Sequence, residues 1–221
     1  MTASRREHVR RAVAREAAWL IYTGRAREYK TAKEMALRAL GARVMPSNAE
    51  VALELARIIE EFEGKRAEER LVEMRREALA VMRALRPFRP RLIGSVWRGL
   101  AREESDIDIE VFSDEPLEVL KALEGAGYRV VRHGPSRAPS GQHPIEGYHI
   151  YLELPSGREV EVTVRPEAEE FSERRCEVFG DIVRGLGPEE LEALLRKEPA
   201  RKFLPGWWKA GKSAGPPHER G

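Results

Sequence analysis

The chain has 221 residues, 34% of them charged, with 39 Lys/Arg against 37 Asp/Glu and a formal net charge of +2. That length holds one sizeable domain or two small ones, and the single cysteine, Cys176, excludes an internal disulfide and a cysteine-based zinc cluster. No apolar run approaches membrane-spanning length and no signal-peptide core opens the chain, so the expectation is a cytoplasmic protein without a membrane partner.

Residues 1–86 read as four helices. Ser4 with Glu7, Thr31 with Glu34 and Ser47 with Glu50 each match the capping-box pattern, and Gly24, Gly41 and Gly64 stand where helices would end. Apolar residues recur between them at helical spacing, and Pro87 and Pro90 close the fourth helix. Charge is unevenly spread: residues 1–45 hold eleven Arg/Lys against four Glu, and residues 196–221 hold seven basic residues against two acidic. Basic ends of this kind are usually solvated, but Arg5, Arg6, Arg10 and Arg11 are candidates for touching a phosphate-bearing substrate.

The stretch from Leu92 to Ser113 carries the chemistry. Leu92-Ile93 is a short apolar run that stops at Gly94-Ser95, and Gly99 follows in a charged, turn-rich segment. In Ser105-Asp106-Ile107-Asp108-Ile109-Glu110-Val111, strand periodicity puts Asp106, Asp108 and Glu110 on one face and the β-branched residues on the other. Asp is a poor strand former, and neighbouring carboxylates repel unless a cation lies between them. The pattern therefore suits a divalent ion such as Mg2+, which takes a few carboxylates and completes its shell with phosphates.

Downstream, Pro116–Ala126 reads as a helix and Tyr128–Arg132 as a strand. This strand–helix–strand unit is expected to pair in parallel, with the helix covering the apolar face and the carboxylate face open. Residues 133–147 form a long loop; His133, His143 and His149 lie in or just after it, at spacings that match no metal motif. Tyr148–Leu154, a Pro155-Ser156-Gly157 turn and Arg158–Val164 make a β-hairpin, with Glu159, Glu161 and Thr163 on one face. Helices are expected again at Glu167–Phe179 and Pro188–Lys197. In the tail, Gly206 to Ser213 fits the G-x-x-x-x-G-K-[ST] phosphate-loop pattern, but Pro205 precedes it and no chain remains for an NTPase core, so the match is read as accidental. Trp207 and Trp208 are expected to dock the tail; stacking on nucleic acid, with Lys209 and Lys212 on phosphates, is the alternative.

Gly94-Ser95, Arg98-Gly99 and Ser105-Asp106-Ile107-Asp108-Ile109 together resemble the signature of the DNA polymerase β-like nucleotidyltransferase superfamily. The resemblance implies an α+β fold: a mixed β-sheet core with helices on one face, preceded and followed by helical segments. Residues 1–87 would be an N-terminal helical region, 88–166 the nucleotidyltransferase core, and 167–221 C-terminal helices and a basic tail. It implies two Mg2+ (or Mn2+) ions on Asp106 and Asp108, with a third carboxylate from a later strand. Glu161 matches that position, where the family more often has Asp, and Glu159 on the same face is the reserve. Gly94 and Ser95 would hold the NTP β- and γ-phosphates, with Arg98 or Arg102 adding positive charge to the leaving group. The implied reaction moves an NMP from an NTP to an acceptor (RNA, protein or small molecule) with release of pyrophosphate, and the basic ends slightly favour RNA. The alternative is a non-catalytic nucleotide- or nucleic-acid-binding module, which the intact Asp106/Asp108 pair argues against.

Overall fold

A computed structural model describes residues 3–135 and 147–205. The phosphate-loop match, Trp207, Trp208, Lys209, Lys212 and His143 lie outside the described residues. Four helices lead the chain: α1 (Ala3–Tyr22), α2 (Tyr29–Leu40), α3 (Asn48–Phe62) and α4 (Lys65–Ala84). Of the three expected capping boxes, one forms. Ser47 Oγ accepts from the Glu50 amide at 3.2 Å, while the Glu50 carboxylate accepts from the Ser47 amide at 2.8 Å. Ser4 and Thr31 instead lie inside α1 and α2, because both helices begin earlier than the capping pattern placed them. Gly41 ends α2 in the left-handed conformation, its amide reaching back to the Arg38 and Leu37 carbonyls.

The chain divides into two compact units, and the first boundary between them falls within α4, between Ala67 and Glu68, while Arg175–Ile182 also belongs to the first unit. The sequence boundary at residue 87 instead follows the end of α4. In the first unit, α1, α2 and α3 pack through small and branched side chains, among them Ala17, Ala32, Ala36, Val51 and Ile58. The basic stripe of α1 meets an acidic stripe on α3: Arg10 pairs with Glu50 at 2.8 Å, Arg11 with Glu54 at 3.3 Å and Arg15 with Glu61 at 2.9 Å. Arg10 and Arg11, expected as substrate contacts, are thus engaged inside their own unit, while Arg5 and Arg6 are exposed.

The second unit holds a five-stranded mixed sheet in the order β1-β2-β5-β4-β3, with β1 Arg91–Leu92, β2 Ile107–Phe112, β3 Arg129–Pro135, β4 Tyr148–Glu153 and β5 Glu159–Arg165. Helices α5 (Gly94–Arg98), α6 (Pro116–Gly125) and α7 (Pro188–Lys197) complete it. Strands β2 and β5 are parallel, and every other neighbouring pair is antiparallel. The apolar faces of β2, β4 and β5 share one core with Met74 and Met82 of α4, Val119 and Leu123 of α6, and Leu191 of α7.

Two expectations are corrected. Strands β2 and β3 run in the same direction but are not neighbours, because β5 and β4 lie between them. Val160, Val162 and Val164 suit a central strand, whereas β3, mostly exposed and carrying Arg129, Arg132 and His133, suits the edge. Residues 167–179 do not form a long helix; only Glu167–Glu169 makes a 3-10 turn, followed by an irregular segment with a bridge between Arg175 and Ile182. That stretch has no apolar stripe to bury, and Phe171 within it is exposed.

One buried cation ties this unit together. Arg75 of α4 is 0% exposed and donates to the carbonyls of Val96 (3.2 Å), Trp97 (2.9 Å), Pro199 (2.6 Å) and Arg201 (2.8 Å). Burial lowers its pKa to about 10, which still leaves it charged at neutral pH. Arg75→Met keeps most of the bulk but strands those carbonyls, so the expected loss of unfolding free energy in urea is about 3 kcal/mol or more. A loss of less than about 1 kcal/mol would show that the carbonyls find other partners.

Candidate active site

Strand β2 places its two faces in different worlds. Ile107, Ile109 and Val111 are fully buried in the core, and the alternate positions face away from it. The parallel register sets Asp108 beside Glu161, at the ordinary inter-strand spacing of about 4.8 Å. Ile107 pairs with Val160, so Asp106 and Glu159 make a second acidic pair one step earlier. The third carboxylate of the alternation is treated differently: Glu110 is 2% exposed and ion-pairs with Arg174.

The turn after β1 closes over Asp108. The Ile93 amide donates to the Asp108 carbonyl at 2.9 Å, and the Ser95 amide donates to the Asp108 carboxylate. Gly94 sits at φ +68°, and a Cβ built there would overlap the Asp108 carboxylate. Glycine is thus required here twice, by backbone conformation and by the close approach of the acid. Burial pushes the Asp108 pKa from 3.8 up to about 7, Glu161 and Asp106 push it the same way, and only the Ser95 amide opposes them. Asp106, more exposed, is raised by partial burial and then by Glu159 and Glu161, with Arg132 opposing.

The two glutamates of β5 have different partners. Glu159 pairs with the Arg132 guanidinium at 3.1 Å. Glu161 Oε1 accepts from Tyr151 Oη at 3.2 Å and from His149 Nδ1, both on β4. Burial, and next the Glu161 charge, raise the Tyr151 pKa, so the phenol stays a donor. Arg132 lies over the Tyr151 ring, 3.4 Å from its centroid, and His149 stacks near it at 6.2 Å.

The structure therefore brings Asp106, Asp108, Glu161, Gly94 and Ser95 together, and turns one of the two expected phosphate arginines, Arg98, into the packing. Arg98 is buried, donates to the Phe203 carbonyl at 3.1 Å and lies over Trp97 at 4.2 Å. It ends a five-residue helix on its packed side, which is why the sequence proximity to Gly94 misleads. Arg102 pairs with Glu104 at 3.6 Å. Sequence reasoning missed Arg132 and Tyr151, and singled out His149 without placing it beside Glu161. The signal was present in the alternation of Tyr148–Glu153, where Ile150 and Leu152 claim the core and leave His149 and Tyr151 opposite. His133 instead meets the Tyr148 hydroxyl and pairs in register with Ile150, so His133 and His149, the two described members of the three histidines singled out in the sequence, lie on opposite faces of the sheet.

The matching family is the nucleotidyltransferase domain, over residues 76–178, from the middle of α4 to the segment after β5. That match is consistent with the DNA polymerase β-like nucleotidyltransferase superfamily that the sequence resembles. No curated protein matches the chain. Among solved structures, a cytoplasmic RNA terminal U-transferase is similar at 21% identity, covering 53% of this chain and 34% of its own, with a TM-score of 0.28. This chain thus spans about a third of that protein's length, and the likeness is too slight to carry an argument.

The acidic face offers only oxygen donors beyond His149, a set that fits Mg2+ or Mn2+ rather than a soft metal. Among the described residues no group of three or more acidic, His or Cys side chains is already gathered as a cage.

Two outcomes follow from this geometry. Gly94→Ala should displace the Asp108 carboxylate, abolishing metal-induced stabilisation and lowering the melting temperature; a variant with the parental metal response would contradict the contact. The raised Asp108 pKa also fixes a pH sign. Without metal, this group's contribution is fullest below its ordinary 3.8 and is lost as pH rises through about 7. The gain in melting temperature from Mg2+ should therefore grow between about pH 6 and about pH 8, and Asp108→Asn should remove that dependence. A pH-independent gain would show that proton and metal do not compete at Asp108.

Proposed function

We propose that this nucleotidyltransferase is a metal-dependent enzyme that transfers an NMP from an NTP to an acceptor hydroxyl and releases pyrophosphate. The observation that carries the reading is the register pairing of Asp108 with Glu161 on an open face, next to the Gly94-Ser95 turn. A purely nucleotide-binding module gains nothing from acidic pairs facing a phosphate ligand, since like charges repel.

Asp106, Asp108 and Glu161 would hold two Mg2+ or Mn2+ ions, which supply Lewis acidity at the attacking and leaving oxygens. Gly94 lets Asp108 approach the turn, and the Ser95 amide holds that carboxylate in place. The Ser95 hydroxyl is then the turn's group for a β- or γ-phosphate. The acceptor oxygen attacks the α-phosphorus, the bond to the β-phosphate's bridging oxygen breaks, and pyrophosphate departs with the negative charge. Glu161, flanking the acidic pair, would take the acceptor's proton or hold the acceptor-side ion. Arg132, beside Glu159 and over Tyr151, puts a guanidinium on this face and joins Arg102 as a candidate for the leaving group's charge.

The acceptor class rests on the basic residues of 1–45 and 196–221, which favour RNA, weakened by the pairing of Arg10, Arg11 and Arg15 with α3. A single cysteine and a requirement for NTP both fit the cytoplasm. No helix among the described residues is long and apolar enough to cross a membrane.

The test is pyrophosphate release from each NTP with Mg2+ or Mn2+, with and without total RNA. Release should require metal and fall about 100-fold or more in Asp108→Asn and Asp106→Asn, each still folded. Turnover retained in either variant would sink the assignment.

A further inference from the structure

We infer that His149 and Tyr151 are positioning residues that fix Glu161 so that a glutamate can serve as the third carboxylate of the metal site. The inference rests on the transferase reading above and adds to it the means by which one of two equivalent-looking glutamates is chosen.

A glutamate has one more rotatable bond than an aspartate, so its carboxylate is harder to hold in one place. Here that freedom is removed from one side only. The Tyr151 hydroxyl and His149 Nδ1 both bond to Oε1 of Glu161, leaving Oε2 without a share in those bonds. A carboxylate only accepts, so Nδ1 carries the proton in this bond. Tyr151 is the direct register partner of Glu161, and His149 is the next residue on the same face of β4. The two rings stack at an interplanar angle of 17°, so each restrains the other.

Glu159 faces a different partner. Its carboxylate pairs with the Arg132 guanidinium, which compensates its charge and competes with any metal for its oxygens. Glu161 is held instead by an imidazole and a phenol that both bond to the same oxygen, so its orientation is fixed from one side. Hydrogen-bonding partners behind a metal ligand commonly set its orientation and strengthen binding. The same distinction explains why strand alternation alone, which puts both glutamates on one face, does not choose between them.

The experiment measures Mn2+ affinity by electron paramagnetic resonance on the full chain, alongside metal-dependent pyrophosphate release. The variants are Asp108→Asn, His149→Ala, His149→Asn, Tyr151→Phe and Glu161→Gln, with double variants combining each of the His149 and Tyr151 changes with Glu161→Gln. His149→Ala and Tyr151→Phe should weaken Mn2+ about 10-fold each, with the KM for NTP at saturating metal unchanged. His149→Asn, whose amide can reach the Nδ1 position, should recover most of the loss. In the Glu161→Gln background all of these effects should vanish. Parental Mn2+ affinity in both His149→Ala and Tyr151→Phe would overturn the inference, as would losses that persist in the Glu161→Gln background. If Asp108→Asn leaves Mn2+ binding intact, the transferase reading itself fails. If only Asp108→Asn is impaired, that reading stands and the positioning role is lost.

Discussion

The parallel pairing of β2 with β5 is the constraint on which the site depends. Burying Ile107 and Ile109 against Val160 and Val162 fixes the register, and the register leaves Asp108 beside Glu161 and Asp106 near Glu159. Hydrophobic burial of about 25 cal/mol per Å2 on one face thus assembles like charges on the other. The chain answers part of that repulsion in the unligated state by raising the Asp108 pKa to about 7, so that a proton can occupy the position a cation would take.

The acidic face is graded by its partners. Glu110 is closed off by Arg174, Glu159 is paired with Arg132, Glu161 is held by His149 and Tyr151, and Asp106 and Asp108 are left in the middle. The grading depends on the turn at Gly94, because any side chain there would collide with Asp108. It also depends on Arg75, whose bonds to the Val96 and Trp97 carbonyls fix the helix that follows the turn. A buried cation in α4 therefore supports the placement of carboxylates on a distant strand, through backbone rather than through another charge.

Much of this was legible in the sequence where local pattern and local structure coincide. The Asp-x-Asp alternation, the hairpin at Pro155-Ser156-Gly157 and the Ser47 cap each depend on residues within a few positions of one another, and each formed. The strand order did not follow from pattern, because whether β3 or β5 sits beside β2 is decided by the relative burial of whole strands. Arg98 was misplaced for a related reason: sequence nearness to Gly94 says nothing about which side of a short helix packs against Phe203. The 167–179 segment read as helical from composition, yet it has no apolar stripe to hold a helix against a core. His149 and Tyr151 were visible in the alternation but acquire meaning only once β4 is known to pair with β5.

The central claim is that Asp106, Asp108 and Glu161, rather than Glu159, form one metal-binding set beside the Gly94-Ser95 turn. The most direct measurement is anomalous diffraction from crystals of the protein grown with Mn2+ and a non-hydrolysable NTP. The account predicts Mn2+ peaks in contact with Asp108 and Asp106, one of them also touching Glu161, with the triphosphate at Ser95 and Glu159 still on Arg132. Peaks coordinated by Glu159 instead of Glu161, or a triphosphate bound away from this turn, would contradict it.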